Sequence, residues 1–474
     1  MSNFTSITGI ASKQAGERIQ DSLPFSSLIP SLSFALDLTE GQPMGHVLRS
    51  CLIGMRIGEM IRLPEAMQAN LYYALLLKDI GCNSNFSRTS EIIGPSRLRS
   101  KVAALREWVS VELEEFQSST EKESSGWRSQ NGIRRTLDKT ESYCFSFDEA
   151  SRRRCERGAR ISRDLGLPRE VTEAIYEVDE RWDGTGNPNG LRGEEISLLS
   201  RIISLAQTLD IAATRYGRAT AIDIVSRRCG TWFDTGLVTM ANLLHGRHDL
   251  WEDLESPGLL SLVISLEPSH QIQASDQLAV DDICFAFAEV VDAKSPFTFT
   301  HSTGVAKIAV SIAEMMGQDP RSSKLLQRAG HLHDIGKLSV PNFILEKPGS
   351  LTSKEWGYIR QHPRYTKEIL YKIPGFEETA EIAAAHHEKL DGSGYPHGLH
   401  SSELPLSARI LTVADIYDAL CSSRPYRKQL GCEEVLSFMR RDSPHALDAS
   451  CLDALTAVVK LDSHASSDTS CRIT

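Results

Sequence analysis

Seven side chains of metal-binding type between positions 301 and 415 are candidates for one site: His301, the neighbours His333 and Asp334, His362, the neighbours His386 and His387, and Asp415. The enrichment is local, because of 14 histidines only His46 lies in the first half of the chain while eight fall between 301 and 400. One histidine on an apolar helical stripe is ordinarily a core residue; a set of this size is a candidate site. Imidazole and carboxylate without thiolate suit iron, manganese or a similar first-row ion better than structural zinc. In the adjacent pair, the His333 imidazole can hold one ion while the Asp334 carboxylate bridges to a second. Two ions roughly 3.5–4 Å apart are a recurrent device for hydrolysing phosphate esters, activating a water and steadying charge on the phosphoryl oxygens. Lys337, one turn after Asp334, offers a point charge to a phosphate oxygen, and Arg424 and Arg427 offer bidentate hydrogen bonds.

Groups scattered over more than a hundred positions meet only if helices deliver them, as in bundles whose metal sites use side chains from facing helices. The pattern is helical: His301, Val305, Ile308 and Ile312 fall at i, i+4, i+7 and i+11. Strict period-2 alternation is rare, and Gly and Pro gather between the stripes, as at 347–349, 374–375 and 392–396. The arrangement also occurs twice. His46 precedes Asp79 by 33 positions, as His301 precedes Asp334; Asp183 precedes Arg201 by 18, as Asp391 precedes Arg409. Both later halves share D-G-x-G-x-P-x-G-L. The chain is therefore read as a duplication, with a polar insertion of the first unit at about 105–150.

The 474 residues are 41% hydrophobic and 24% charged, which excludes a mainly disordered chain and a polytopic membrane protein. With 52 basic and 62 acidic residues the formal charge is −10, which disfavours binding to DNA or RNA. Ten cysteines without a C-x-x-C read as reduced thiols. With no basic-then-apolar start, a cytoplasmic location is expected.

The blocks HDIGK at 333–337, HHEKLDGSGYP at 386–396 and RILTVADIYDAL…RPYR at 409–427 resemble the HD-GYP family, a branch of the HD metal-dependent phosphohydrolases. The resemblance is strong over 281–437 and weak over 36–216. It implies an all-α chain of two HD-type helical bundles in tandem, the first degenerate and the second an HD-GYP domain. The divisions expected are a segment 1–30, a degenerate domain 31–225, connecting helices and linker 226–280, a catalytic domain 281–460 and a flexible tail 461–474. It implies a metal-dependent phosphodiesterase that cleaves cyclic di-GMP to linear pGpG and often on to GMP. A non-catalytic cyclic-dinucleotide sensor and a hydrolase of another cyclic dinucleotide stand as alternatives.

Position by position, the resemblance assigns His301, His333, Asp334 and Asp415 to one metal, and Asp334, His362, His386 and His387 to the other. It makes Asp334 and Lys337 catalytic and gives Lys337, Arg424 and Arg427 phosphate contacts. Asp391, Gly392, Gly394, Tyr395 and Pro396 match the loop motif, implicated in substrate access or contact with diguanylate cyclase domains. Tyr395 is read as a loop-packing ring, with stacking on a guanine as the alternative. Members with a third metal carry a glutamate where this chain has Phe297, so two divalent ions, Fe or Mn, are expected. A homodimer is left open. Glu388 is expected to orient His386 or His387, while Asp418 is read as structural because Asp210 recurs at its place.

The first unit has Lys78, Cys82, Arg154, Val178, Asp179 and Gln207 where the second has His333, Lys337, His362, His386, His387 and Asp415. Only His46 and Asp79 remain as ligand types, so the first unit is expected to be metal-free and inactive.

Overall fold

The computed structural model describes residues 25–40, 42–82, 147–268, 280–294, 300–347, 349–422 and 430–465. Among them there is no β-strand, only three isolated bridges. The first bundle comprises α1 (Phe25–Glu40), α2 (His46–Met60), α3 (Glu65–Leu77), α4 (Phe147–Asp164), α5 (Arg169–Tyr176) and α6 (Leu198–Tyr216). Then come α7 (Arg218–Arg227), α8 (Thr235–His245), α9 (His248–Leu254) and α10 (Leu259–Ser265). The second bundle comprises α11 (Val280–Asp292), α12 (His301–Met315), α13 (Pro320–Leu332), α14 (Asn342–Leu345), α15 (Ser353–Ile359), α16 (His362–Leu370), α17 (Glu377–Ala384) and α18 (Leu406–Cys421). It ends with α19 (Cys432–Asp442) and α20 (Ala449–Ala465).

The duplication is visible in the packing. Helix α2 lies against α3 and α6 as α12 lies against α13 and α18. Before each second helix a buried aspartate ties down the backbone. Asp37 accepts the Gly45 and Val47 N–H groups at 2.6 and 2.8 Å. Asp292 accepts the Ser302 N–H and, at 2.7 Å, its hydroxyl.

Helix ends differ from the boundaries read in the sequence. Helix α1 starts at Phe25 and runs through Pro30, a residue that locally signals a break because it cannot donate to the helix ladder. The buried row Leu28, Ile29, Leu32 and Leu36 offsets that lost bond. Residues 147–150, taken as the end of the insertion, open α4, and α20 runs on to Ala465. The rest of the stretch 105–150 lies outside the described residues.

One apolar cluster runs through both bundles. Helix α1 packs against α16 and against the 3-10 turn Ile335–Ser339, which carries Lys337. The buried Ser31 hydroxyl donates to the Lys372 carbonyl at 3.1 Å. The first bundle thereby buttresses the turn that follows Asp334.

That turn is also held from below by Lys294, which is buried and donates to the Leu338 carbonyl at 2.6 Å. Burial pulls its ammonium from the usual 10.5 down to about 7. The folded state therefore bears the full cost of the buried charge below about 7, and that cost is relieved as pH rises towards 10.5. Urea unfolding should show the wild type gaining on Lys294→Met by at most about 1.4 kcal/mol per pH unit within that window. A pH-independent difference between the two proteins would refute this account.

Candidate metal centre

Two glycines set the spacing of the site's elements. A Cβ on Gly330 would lie 2.5 Å from the Ala306 Cα, so its absence lets α13 cross α12 closely and brings His333 to His301. A Cβ on Gly336 would lie 2.0 Å from the His362 carbonyl, so the turn after Asp334 sits directly on the start of α16. Thr366 locks this junction, accepting the Gly336 N–H at 3.0 Å and donating to the His333 carbonyl at 2.8 Å.

The seven ligand-type side chains converge. His301 Nε2 lies 3.1 Å from Asp415 Oδ1 and 3.8 Å from Asp334 Oδ2. His333 Nε2 lies 3.3 Å from Asp334 Oδ2 and 3.8 Å from Asp415 Oδ1. On the other side, Asp334 Oδ1 is 3.2 Å from His362 Nε2 and 3.7 Å from His386 Nε2. His387 Nδ1 is 3.8 Å from Asp415 Oδ2. The two oxygens of Asp334 thus face two different groups, His301 with His333 and His362 with His386. Two triads, His301–His333–Asp415 and His362–His386–His387, each have ligand atoms mutually within 4.8 Å. All these residues are buried except the half-buried His387.

Four imidazoles are oriented from behind. His333 Nδ1 is 2.8 Å from the Gly330 carbonyl, His362 Nδ1 is 2.5 Å from that of Ile359, and His386 Nδ1 is 2.6 Å from that of Ala383. His301 Nδ1 is 2.7 Å from Asp418 Oδ2. Proton donation at Nδ1 leaves each Nε2 lone pair aimed into the cluster, as metal-bound imidazoles require. His301 Nε2, His333 Nε2 and Asp334 Oδ1 are buried without a hydrogen-bond partner. Buried polar atoms are seldom left so, and clustered acceptors of this kind fit a divalent cation.

The electrostatics agree. Burial opposes ionisation of Asp334 and Asp415, yet Lys337 and His333 beside the first, and His301 beside the second, hold both well below the usual carboxylate range. Burial and the neighbouring His387 keep His386 neutral, and burial drives His387 down to about 3. His301 and His333 are the exceptions: burial lowers both, but Asp415 and Asp418 lift His301 to about 10, and Asp334 and Asp415 raise His333 above the usual value. Ionised Asp334 and Asp415 and the neutral His362, His386 and His387 are in the protonation state that metal ions bind, and a bound cation would displace the proton that the carboxylates favour on His301 and His333.

Asp418 is therefore more than the structural residue expected: it positions His301. Asp418→Asn should weaken divalent-ion affinity about 10–100-fold, read by chelator competition on the full-length protein. Unchanged affinity would remove the positioning role. Glu388 does not orient His386 or His387. Its carboxylate accepts the His397 and Leu399 N–H groups at 2.7 and 3.0 Å, fastening the loop instead. Within that loop the exposed Asp391 accepts the Ser393 N–H at 2.9 Å, and Gly392 has φ +76°, open to glycine. Gly394 sits against the backbone of Glu388 and Lys389, where a Cβ would lie 2.5 Å away. The Tyr395 ring, next to Pro396, packs 4.7 Å from the His387 ring, with the exposed Arg360 guanidinium 5.5 Å from the Tyr395 ring centroid. Lys337 is part-exposed and paired with Asp334. Arg424, Arg427 and Phe297 lie outside the described residues.

The first unit keeps the frame and changes the chemistry. His46 Nδ1 is 2.7 Å from Asp210 Oδ2, matching His301 and Asp418. Where His333 stands in the second unit, the buried Lys78 ammonium pairs with Asp79 and lies 3.2 Å from His46 Nε2. Where His362 and His387 stand, Arg154 pairs with Asp179. Side-chain cations occupy both places.

A helical bundle gathering histidines and aspartates around a carboxylate is the arrangement of a metal-dependent phosphohydrolase. A family model described as "HD domain" matches residues 144–237 and 286–451, and the chain belongs to that family, in its HD-GYP branch. It is 38% identical over 444 residues, covering 93% of this chain and 96% of the relative, to 3′3′-cGAMP-specific phosphodiesterase 3 of Vibrio cholerae. It is 40% identical over 161 residues, covering 33% of this chain and 44% of the relative, to the cyclic di-GMP phosphodiesterase of Thermotoga maritima. The crystal structure of a cyclic GMP-AMP-specific phosphodiesterase of V. cholerae, V-cGAP3, matches with a TM-score of 0.62 at 35% identity. That match covers 92% of this chain and 97% of the other.

Proposed function

We propose that this chain is a phosphodiesterase that opens a 3′3′-linked cyclic dinucleotide to its linear form, with cyclic GMP-AMP preferred over cyclic di-GMP. The observation that carries the reading is the convergence of seven ligand-type side chains with buried, unpartnered acceptor atoms. The motif resemblance by itself points to cyclic di-GMP. The choice of substrate is supported by the V. cholerae cGAMP-specific relative, which matches nearly end to end, whereas the cyclic di-GMP phosphodiesterase of T. maritima matches a third of the chain.

In this proposal His301, His333 and Asp415 would hold one ion and His362, His386 and His387 another, with Asp334 available to both. Two divalent ions, iron or manganese by their donor set, would supply Lewis-acid activation and a hydroxide nucleophile. The chain's own contribution is placement. Asp334 presents one oxygen to each group, and the Nδ1 hydrogen bonds keep the imidazoles from turning away. Lys337, at the part-exposed edge, offers an ammonium to a non-bridging phosphate oxygen. Arg424 and Arg427 are proposed to take the second phosphate, and Tyr395 to border the base. Phe297 in place of the third-metal glutamate favours stopping at the linear dinucleotide.

The reading places the enzyme in the cytoplasm, supported by eight described cysteines that are all free thiols. No described helix is long and apolar enough to cross a membrane.

The test is product chromatography on protein loaded with Fe or Mn and given cyclic GMP-AMP or cyclic di-GMP. Release of linear dinucleotide is expected, with the higher kcat/KM for cyclic GMP-AMP. Equal or reversed preference overturns the substrate choice. Binding of both without cleavage favours a sensor.

A further inference from the structure

A cavity of about 670 Å³ lies away from the metal centre, walled by the first bundle and the helices that follow it, with Lys372 as its one lining residue from the second bundle. Its walls include Phe34 on α1, Arg49 on α2, Arg218 on α7, Trp251 on α9, Glu255 just beyond α9, and Lys372 just beyond α16. That size lies within the range of small-molecule sites, which bury a ligand among apolar groups and a few placed polar ones.

Its polar groups favour an anion. Asp210 also lines it, but that carboxylate is taken up by His46 at 2.7 Å and by Arg49 Nε at 2.6 Å. Arg218 lies 5.1 Å from the Trp251 ring centroid and pairs with the exposed Glu255. The exposed Lys372 ammonium lies 4.7 Å from the Phe34 ring centroid and makes no ion pair among the described residues. Two cations set over aromatic rings, on walls contributed by both bundles, suit a ligand with a charged phosphate and a flat apolar part.

We infer that this cavity is a binding site for a purine nucleoside monophosphate, its phosphate held by Arg218 and Lys372. The ligand bridges the bundles, since Lys372 sits at the far end of the helix that begins with His362. This reading does not depend on the catalytic one, because none of these residues belongs to the metal centre.

Calorimetric titration of the full-length Asp334→Ala protein, with its catalytic centre disabled, tests it. The probes are GMP, AMP, guanosine and inorganic phosphate. One site with a dissociation constant below about 1 mM for GMP or AMP is expected. Affinity should fall at least about tenfold in Arg218→Gln and in Lys372→Gln. Absence of nucleotide binding, affinity unchanged in both variants, or equal binding of inorganic phosphate alone would each overturn the assignment.

Discussion

Asp334→Asn should abolish phosphodiester hydrolysis, lowering kcat by at least about 1000-fold, or about 4 kcal/mol of barrier. The geometry makes this residue special. Its Oδ1 lies 3.2 Å from His362 Nε2 and its Oδ2 lies 3.3 Å from His333 Nε2, so it is the shared member of both ligand groups. An amide keeps the shape but replaces one acceptor oxygen by an NH2 donor, which would aim hydrogens at the place where a cation belongs. Lys337 loses its ionised partner at the same time. Elemental analysis should show metal content falling together with activity, because both groups lose a ligand. The circular-dichroism spectrum should be unchanged, since the helices are held by apolar packing that runs through both bundles. An Asp334→Asn protein with full metal content and activity within about tenfold of wild type would dismantle the bridging assignment.

The all-helical fold was legible in the sequence, and so was the set of histidines and aspartates that the structure brings together, for a chemical reason. A metal centre demands particular residue types, so their positions stand out against a background in which apolar residues interchange. The duplication sharpened this, since equal spacings in two units are hard to produce without a shared frame. What a sequence carries poorly is the direction of a side chain. Glu388 follows two histidines and reads as their partner, yet its carboxylate turns to the loop's N–H groups. The signal was present in the first unit, where Glu180 occupies the same place beside no histidine and accepts the N–H groups of Asn189, Gly190 and Leu191. Asp418 shows the converse. Its recurrence as Asp210 suggested a purely structural residue, but His46 recurs as well, and the conserved feature is the pair. Pro30 sits inside α1 although helix breaking is its local tendency, because long-range burial overrides it.

The first unit supplies the other large effect. Lys78→Ala should destabilise the protein by about 3–5 kcal/mol, the usual cost of removing one partner from a buried ion pair. The side chain of Lys78 is fully buried, its ammonium facing the Asp79 carboxylate and lying 3.2 Å from His46 Nε2. Burial and the nearby Lys78 charge both lower the pKa of His46, so it stays a neutral acceptor for that ammonium. Lys78 supplies the positive charge that Asp79 faces. Truncation to alanine removes this compensation and opens space that the close packing of Leu76, Leu77 and Ile80 cannot readily fill. Urea unfolding should show the loss equally with and without chelator, because the cation in this unit is covalent. The double variant Lys78→Met/Asp79→Leu should recover much of the loss, as apolar replacements of a whole buried pair often do. A cost below about 1 kcal/mol for Lys78→Ala, or a loss that chelator changes, would mean that the first bundle is held by something other than this internal cation.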